Sequence, residues 1–239
     1  MSNPLYITDS YARECRCRVV GQTPEGGLIL AHSIFYPTGG GQPGDSGLLH
    51  WQGGPTAIST TVKGQAGEII LLAAEPRVLP PVGAEVLQDL DWERRYRIMQ
   101  MHTVLHLLSV IVPFPVIGGA IGSDSGRLDF DMSGSPAKKA VLQDQINELI
   151  TRDLPVSARW INNQEMAASP QLIRTMSVKP PVRNDRVRLV QIGYSPNVID
   201  LQPCDGTHVA WTGEIAPVEL AKIEKKGQQS WRITVQFCA

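Results

Sequence analysis

The sequence of 239 residues has few cysteines, few aromatic residues and almost no net charge. Its 4 cysteines are too few for a disulfide-rich scaffold, and its net charge of -1 excludes a chain that attracts nucleic acid over its whole surface. No apolar run approaches the length of a membrane span, and the start "MSNPLYITDS" lacks the charged and apolar regions of a signal peptide. We therefore expect a reduced, cytoplasmic protein without a membrane segment, in which a cysteine is more often a ligand or nucleophile than half of a disulfide.

Hydrophobic residues make up 42% of the chain, which is enough to build real cores. Over residues 1–90, short alternating runs such as "ECRCRVVG" and "GLILAH" are separated by glycine and proline, which predicts a small β-barrel-like domain. From Asp91 the apolar period becomes helical, and helix-like and strand-like runs then alternate to the end. We therefore predict an α+β protein with a β domain at 1–90 and an α+β domain at 91–239.

Two helices can be predicted in the second domain. Asp91 is a suitable N-cap for a helix through "WERRYRIMQMHTVLHLLSVI", which must end by Val112 because Pro113 follows. Ser135 and Pro136 form a cap followed by a first-turn proline, so we expect a second helix to begin there.

The first predicted helix carries His102 and His106 on one face, about one turn apart. Two histidines spaced in this way can hold one metal ion, but they also occur in cores and on surfaces. Thr103 stands where zinc proteases of the His-Glu-x-x-His type have a glutamate, so the pair is not that motif.

A second pair with the same spacing, Cys204 and His208, lies in the loop "DLQPCDGTHVAWTGEI". Two nitrogens from a helix plus one sulfur and one nitrogen from a loop form a set that suits tetrahedral Zn²⁺. The sequence therefore predicts one zinc ion bound by His102, His106, Cys204 and His208. The alternative is a zinc ion that only fastens the helix to the loop.

The segment "FYPTGGGQPGDSG" at 35–47 is rich in glycine but lacks the Gly-Lys-Ser/Thr ending of a phosphate-binding P-loop. It is either a β-turn with bulges or a loop whose backbone approaches a substrate closely. In the second case Gln42 and Asp45 would supply polar contacts.

Two basic groups accompany these motifs. Arg94, Arg95 and Arg97 precede the histidines, and the stretch 171–190 carries Arg174, Lys179, Arg183, Arg186 and Arg188 against Asp185 alone. Each group is either a solvated face with internal ion pairs or a contact surface for nucleic-acid phosphates.

Three motifs in this order resemble a known family. "HTVLHLL", "CDGTH" with "TGEI", and the glycine-rich "FYPTGGGQPGDSG" are similar to the editing domain of alanyl-tRNA synthetase and to the free-standing alanyl-tRNA editing proteins called AlaX. The resemblance spans nearly the whole chain, and the β domain before the editing domain is typical of the medium-length AlaX type. Threonyl-tRNA synthetases carry a related editing domain, so mischarged threonine tRNA remains an alternative substrate.

The resemblance implies a free-standing enzyme that uses zinc to hydrolyse the ester of mischarged alanine tRNA at its acceptor end, removing serine and possibly glycine. It implies substrate contacts and tRNA contacts at the following residues: Gly40, Gly41, Gln42, Asp45, Asp205 and Thr207 for the substrate, and Arg94, Arg95, Arg183 and Arg186 for tRNA. Asp205 departs from the usual Cys-Gly-Gly-Thr-His loop, which leaves the metal site intact but puts the substrate preference in doubt. A non-catalytic zinc-stabilised tRNA-binding module and a zinc hydrolase of small esters remain alternatives.

Overall fold

The computed structural model describes residues 3–75, 78–172 and 182–238. This part of the chain is mostly β with few helices. The chain divides into two compact units, Met1–Tyr96 and Arg97–Ala239. The functional domains expected at 1–90 and 91–239 stay a prediction. Among the described residues, no helix combines the length and the apolar character that a membrane crossing requires.

The first unit is built on a closed barrel, in the strand order β2-β3-β7-β6-β5-β8. Its strands are β1 (Asn3–Pro4), β2 (Glu14–Gln22), β3 (Leu28–Leu30), β4 (His32–Ser33), β5 (Gly47–His50), β6 (Thr56–Lys63), β7 (Ile69–Ala73) and β8 (Glu85–Leu90). Neighbouring barrel strands are antiparallel, and the small pair of β1 and β4 is parallel. The small β-barrel predicted from the sequence is confirmed.

The barrel interior is filled by the apolar residues of the alternating runs. Along β2, Cys17 and Val19 are buried while their neighbours Arg16 and Arg18 are exposed, because successive side chains of a strand point to opposite faces. Leu28 and Leu30 of β3 and Leu71 of β7 are fully buried in the same core. The period-2 pattern in the sequence therefore decides which face of each strand is inside.

The helix α1 extends from Trp92 to Ile111, as the sequence predicts. The side chain of Asp91 accepts a hydrogen bond from the backbone N–H of Arg94 at 3.3 Å, which confirms it as the cap of the helix. The helix ends before Pro113 because a proline in the next turn would remove a backbone donor.

The second unit holds the remaining α-helices and strands that the structure describes. They are β9 (Val116–Ile121), β10 (Ser125–Asp131), α2 (Lys139–Thr151), β11 (Val156–Asn162), α3 (Asn163–Ala167), β12 (Val182–Arg183), β13 (Arg186–Gly193), β14 (Val198–Pro203), β15 (Val218–Lys225) and β16 (Ser230–Phe237). One sheet has the order β15-β16-β10-β9. In the other, β13 pairs with β11, β12 and β14.

The expected start of α2 at Ser135 and Pro136 is wrong. The helix begins at Lys139, and its N-cap Lys138 makes no side-chain capping bond. A capping preference amounts to only about 1 kcal/mol, so tertiary contacts can override it. Here Gln143 fixes the helix on the sheet, since it donates to the carbonyl of Val218 at 2.8 Å and accepts from the N–H of Leu220 at 2.6 Å.

The predicted basic stretch 171–190 is only partly described. Arg174 and Lys179 lie outside the described residues. Asn184 and Asp185 both have positive φ, 47° and 59°, and they form the tight turn between β12 and β13. Arg183 and Arg186 pair across this turn at the end of the hairpin, and Arg186 is exposed.

Candidate functional site: a histidine–cysteine cluster

The second unit brings the two predicted pairs together. His102 and His106 lie on α1, while Cys204 and His208 lie on the loop that follows β14. The potential ligand atoms of these four residues all lie within 4.8 Å of one another, so the cluster could hold a metal ion. The three histidines are buried, each with 6% exposure.

Two sulfur–nitrogen distances in the cluster match those of a tetrahedral zinc site. The Sγ of Cys204 lies 3.5 Å from Nε2 of His102 and 3.3 Å from Nε2 of His208. With ordinary zinc bond lengths, a tetrahedral sulfur–nitrogen separation is about 3.5 Å. The donor set and its spacing therefore fit a zinc ion.

Burial and the neighbouring members of the cluster shift the pKa values of Cys204, His106 and His208. Burial alone raises the pKa of the Cys204 thiol, but the nearby charge of His102 and of His208 brings it well below its usual value. Burial and the charge of His102 hold the pKa of His208 well below its usual range. Burial also acts to lower the pKa of His106, yet its hydrogen bonds to Asp200 and Cys204 raise it to about 9. The site thus favours a thiolate, which is the form that binds metals.

Arg188 makes hydrogen bonds to the loop that carries Cys204 and His208. Although the sequence groups it with the basic stretch, its side chain is buried, with 5% exposure. Its Nη1 donates to the carbonyls of Cys204 at 2.9 Å and Gly206 at 3.0 Å. These bonds fix the backbone of the loop at Cys204 and Gly206, between its two potential metal ligands.

Asp205 and Thr207, the substrate residues predicted in this loop, are both buried. The Oδ2 of Asp205 accepts a hydrogen bond from Nε of Arg183 at 3.2 Å. The Oδ1 of Asp205 has no hydrogen-bond partner within the described parts of the chain. The predicted tRNA residue Arg183 thus contacts the predicted substrate residue Asp205, which is next to the potential metal ligand Cys204.

The glycine-rich segment belongs to the first unit. Gly40 and Gly41 have positive φ, 58° and 82°, and form an exposed two-residue turn between Gly39 and Gln42, whose backbones exchange two hydrogen bonds of 3.0 Å. Positive φ at both central positions strongly favours glycine. Gln42 itself is buried.

Asp45 and Arg95 form a buried ion pair in this unit. Asp45 is 1% exposed and accepts from the guanidinium of Arg95, which is 0% exposed. Arg95 also donates to the carbonyls of Ser10 and Ile34, at 3.1 Å and 2.7 Å. The expected substrate contact of Asp45 and tRNA contact of Arg95 stay predictions, and their burial favours a structural role.

Arg94, the neighbouring predicted tRNA residue, is half-buried. Its Nη1 donates to the carbonyl of Gly44 at 2.9 Å. A side chain at Gly44 would meet the carbonyl oxygen of Thr61 at 2.0 Å, so the backbone can pass here only as glycine. Arg94 therefore fastens the glycine-rich segment to the start of α1.

Four polar residues near the cluster were not predicted as site residues: Thr103, Arg188, Asp200 and Gln202. The sequence does contain a signal for two of them. Asp200, Gln202 and Cys204 alternate along β14 and its continuation, and this spacing places them on one face of the strand. Thr103 and Arg188 carry no comparable signal, because their roles depend on contacts between distant segments.

The chain is similar to known proteins over most of its length. Residues 187–234 match the family model described as "Threonyl and Alanyl tRNA synthetase second additional domain". The chain is 31% identical over 239 residues to the alanyl-tRNA editing protein AlaX-M of Saccharolobus solfataricus and 28% identical over 243 residues to that of Methanosarcina acetivorans, with 98% of each chain covered in both cases. It is also 33% identical over 230 residues to an alanine–tRNA ligase of Pyrobaculum neutrophilum, covering 92% of this chain and 25% of the ligase.

The two kinds of relative differ in how much of their own length the chain covers. The chain spans about a quarter of the length of the alanine–tRNA ligases that it matches, whereas it matches AlaX-M proteins from end to end. The clustered His102, His106, Cys204 and His208, together with these full-length matches, show that the chain belongs to the alanyl-tRNA editing proteins of the medium-length AlaX type.

Proposed function

We propose that this protein is a zinc-dependent hydrolase that removes the wrong amino acid from mischarged alanine tRNA, acting on Ser-tRNA(Ala) and Gly-tRNA(Ala) as a free-standing enzyme. The observation that carries the proposal is the convergence of His102, His106, Cys204 and His208 in a member of the alanyl-tRNA editing family. The proposed partner is the acceptor end of the tRNA, and the proposed location is the cytoplasm.

The proposed cofactor is one Zn²⁺ per chain, held by the three histidines and Cys204. When bound, zinc supplies a Lewis acid that orients or polarises the aminoacyl ester. An aminoacyl ester is already activated, so the chain's own residues need mainly to bind it, orient it and admit water. The three histidines and the loop residues Asp205 and Thr207 are buried, so an ester bound beside them would be partly desolvated. Hydrogen bonds to the chain are stronger there than in bulk water.

Asp205 is the proposed selector for the amino acid. Its Oδ2 is engaged by Arg183, while its Oδ1 has no hydrogen-bond partner within the described segments. A buried carboxylate oxygen of this kind can accept a hydrogen bond from the hydroxyl of serine or from the α-amino group. Alanine lacks the hydroxyl, so a site that binds the hydroxyl would leave a polar group unpaired with alanine and would spare the correct product. Glycine lacks the hydroxyl as well, so the proposed selection by Asp205 applies to serine only.

The remaining proposed substrate contacts are Thr207 in the same loop and the glycine-rich residues Gly40, Gly41, Gln42 and Asp45. Of the glycine-rich residues, the exposed turn of Gly40 and Gly41 offers backbone N–H groups to solvent and to a ligand. The proposed tRNA contacts are Arg94, Arg183 and Arg186, which are all at least partly exposed.

The test is hydrolysis of Ser-tRNA(Ala), Gly-tRNA(Ala) and Ala-tRNA(Ala) by wild type and by Cys204→Ala, with zinc content measured on the same samples. We expect rapid loss of serine, sparing of alanine, and loss of both zinc and activity in Cys204→Ala. The matched control is Cys238→Ala, which removes an exposed thiol and should retain both. Zinc binding without hydrolysis of any substrate would leave a zinc-stabilised tRNA-binding module.

Mischarged threonine tRNA is the second candidate substrate, because the matched family model covers threonyl as well as alanyl synthetases. Adding Ser-tRNA(Thr) to the same assay separates the two. A higher kcat/KM for Ser-tRNA(Thr) than for Ser-tRNA(Ala) would assign the protein to the threonine system.

A further inference from the structure

Two histidines of the cluster also contact residues outside the four potential metal ligands. These residues are Asp200 and Gln202 of β14 and Thr103 of α1, all of them buried. Asp200 and Gln202 contact His106, and Thr103 contacts His208. Each contact is made to Nδ1, the ring nitrogen nearer the backbone.

At His106, the partner of Nδ1 is a carboxylate. Nδ1 lies 2.9 Å from Oδ2 of Asp200, which is an acceptor, so the ring nitrogen must be the donor. Gln202 donates from Nε2 to the same oxygen at 2.8 Å and to Oγ of Ser109 at 3.3 Å, which uses both of its amide protons. Its Nε2 also lies 3.1 Å from Nδ1 of His106, and this is a contact between two donors that share the Asp200 carboxylate. With its proton on Nδ1, a neutral His106 presents the lone pair of Nε2 to a metal ion.

At His208, the partner of Nδ1 is a hydroxyl whose own proton is already used. The Oγ1 of Thr103 donates to the carbonyl of Met99 at 2.9 Å, one turn earlier in α1. A threonine hydroxyl has a single proton, so it can only accept from Nδ1 of His208, which lies at 3.1 Å. The Nε2 of His208 is then the nitrogen that carries no proton. It is also the atom that lies 3.3 Å from the Sγ of Cys204.

We infer that Asp200 and Thr103 are positioning residues, which fix the tautomer and ring orientation of His106 and His208 so that both rings bind the metal through Nε2. The inference rests on the proposed metal site. It also assigns the two residues unequal weight. A carboxylate makes a charge-assisted hydrogen bond, whereas a hydroxyl makes a neutral one, which is about half as strong.

The two positions can be tested with variants that keep the side-chain shape. Asp200→Asn removes the charge, and Thr103→Val removes the acceptor, while Thr103→Ser retains it. Loss of such partners of metal-binding histidines typically lowers metal affinity about 10–100-fold. We expect Asp200→Asn to weaken zinc binding within that range, Thr103→Val to weaken it less, and Thr103→Ser to stay within about twofold of wild type.

Zinc affinity is measured by competition with a chromophoric chelator, and folding is checked by circular dichroism. The matched control is Asp131→Asn, which neutralises an exposed aspartate of β10 and should leave zinc affinity unchanged. Long-range ¹H–¹⁵N NMR of the zinc-loaded wild type needs no variant and should show both rings protonated at Nδ1.

A ring protonated at Nε2, or a folded Asp200→Asn protein with wild-type zinc affinity, would overturn the inference. A wild type that takes up no zinc would overturn both the inference and the proposed metal-dependent function. Zinc affinities and tautomers as expected, without hydrolysis of any mischarged tRNA, would support the inference and overturn only the proposed hydrolase.

Discussion

Arg188 donates from Nη1 to the backbone carbonyl of Cys204 at 2.9 Å. The same nitrogen also reaches the carbonyl of Gly206, so one buried guanidinium fixes two points of the loop that carries two potential metal ligands. The path of this loop therefore depends on a residue of the neighbouring strand β13.

We expect Arg188→Met to loosen this loop. Hydrogen bonds from a charged group contribute about 1.5–3 kcal/mol, so the free energy of unfolding should fall by about that amount and zinc affinity should fall with it. Urea denaturation and chelator competition measure the two effects. The control is Arg186→Met, the same change on the exposed end of the hairpin. Equal zinc affinity in the two variants would show that Arg188 does not support the site.

The ion pair of Asp45 and Arg95 should be essential to the stability of the first unit. The losses of stability on removing its two members should not be additive. Removing one partner of a buried pair typically costs about 3–5 kcal/mol, because it leaves an uncompensated charge. We expect Asp45→Asn and Arg95→Met each to destabilise the protein in this range, and the double variant to cost less than the sum. A double-mutant cycle by chemical denaturation measures the coupling, and additive costs would contradict it.

Asp129 should stabilise the second unit in a pH-dependent way. Its hydrogen bonds to Arg232 across the strand pair β10–β16, together with the charge of Arg127, lower its pKa below the usual 3.8. The stabilisation is therefore complete above the pKa of the unfolded state and is lost as the pH falls through the lower pKa of the folded state.

At neutral pH we expect Asp129→Asn to lower the free energy of unfolding by about 0.2–1 kcal/mol, as is typical of a cross-strand ion pair. The difference from wild type should vanish as the pH falls below the usual carboxyl range. Thermal unfolding across pH measures it, with Asp131→Asn, an exposed aspartate on the same strand, as the control. A difference that does not change with pH would rule out the ion pair as its cause.

Arg186 should contribute to tRNA binding through phosphate contacts. It is exposed at the end of the β12–β13 hairpin, next to Arg183. The logarithm of the affinity falls as the logarithm of the salt concentration rises, and removing one phosphate contact makes this slope shallower by about 0.7–0.9. We expect a shallower slope for Arg186→Ala in filter-binding titrations, and an unchanged slope for Arg152→Ala, which removes an exposed arginine at the end of α2. Identical slopes for the two variants would remove Arg186 from the proposed tRNA surface.

Much of the architecture follows from local patterns. Alternation of apolar and polar residues along β2 decides which side faces the barrel interior, and the change of period at Asp91 marks the start of α1. The i and i+4 spacing of His102 and His106 is sufficient to place both rings on one helix face. These features depend only on backbone geometry, so a single sequence contains them.

The start of α2 shows where local patterns fail. The Ser135–Pro136 signal is a preference of about 1 kcal/mol, and the helix nevertheless begins at Lys139 and is bonded to β15 through Gln143. Likewise, Arg95 and Arg188 lie in basic stretches of the sequence, as the exposed Arg186 does, yet both are buried. Nothing in the local sequence distinguishes a surface arginine from one that pairs with a distant aspartate or carbonyl.

By itself, the sequence determined the barrel strands, the main helix and the types of residue that could bind a metal, because periodicity and side-chain chemistry are local properties. Only the tertiary structure brought Cys204 and His208 within reach of α1 and joined Asp200 to His106 across 94 positions of the chain. Such partnerships depend on how β13 and β14 pair beside the helix. They are decided by long-range packing and hydrogen bonding, which no short stretch of the sequence encodes.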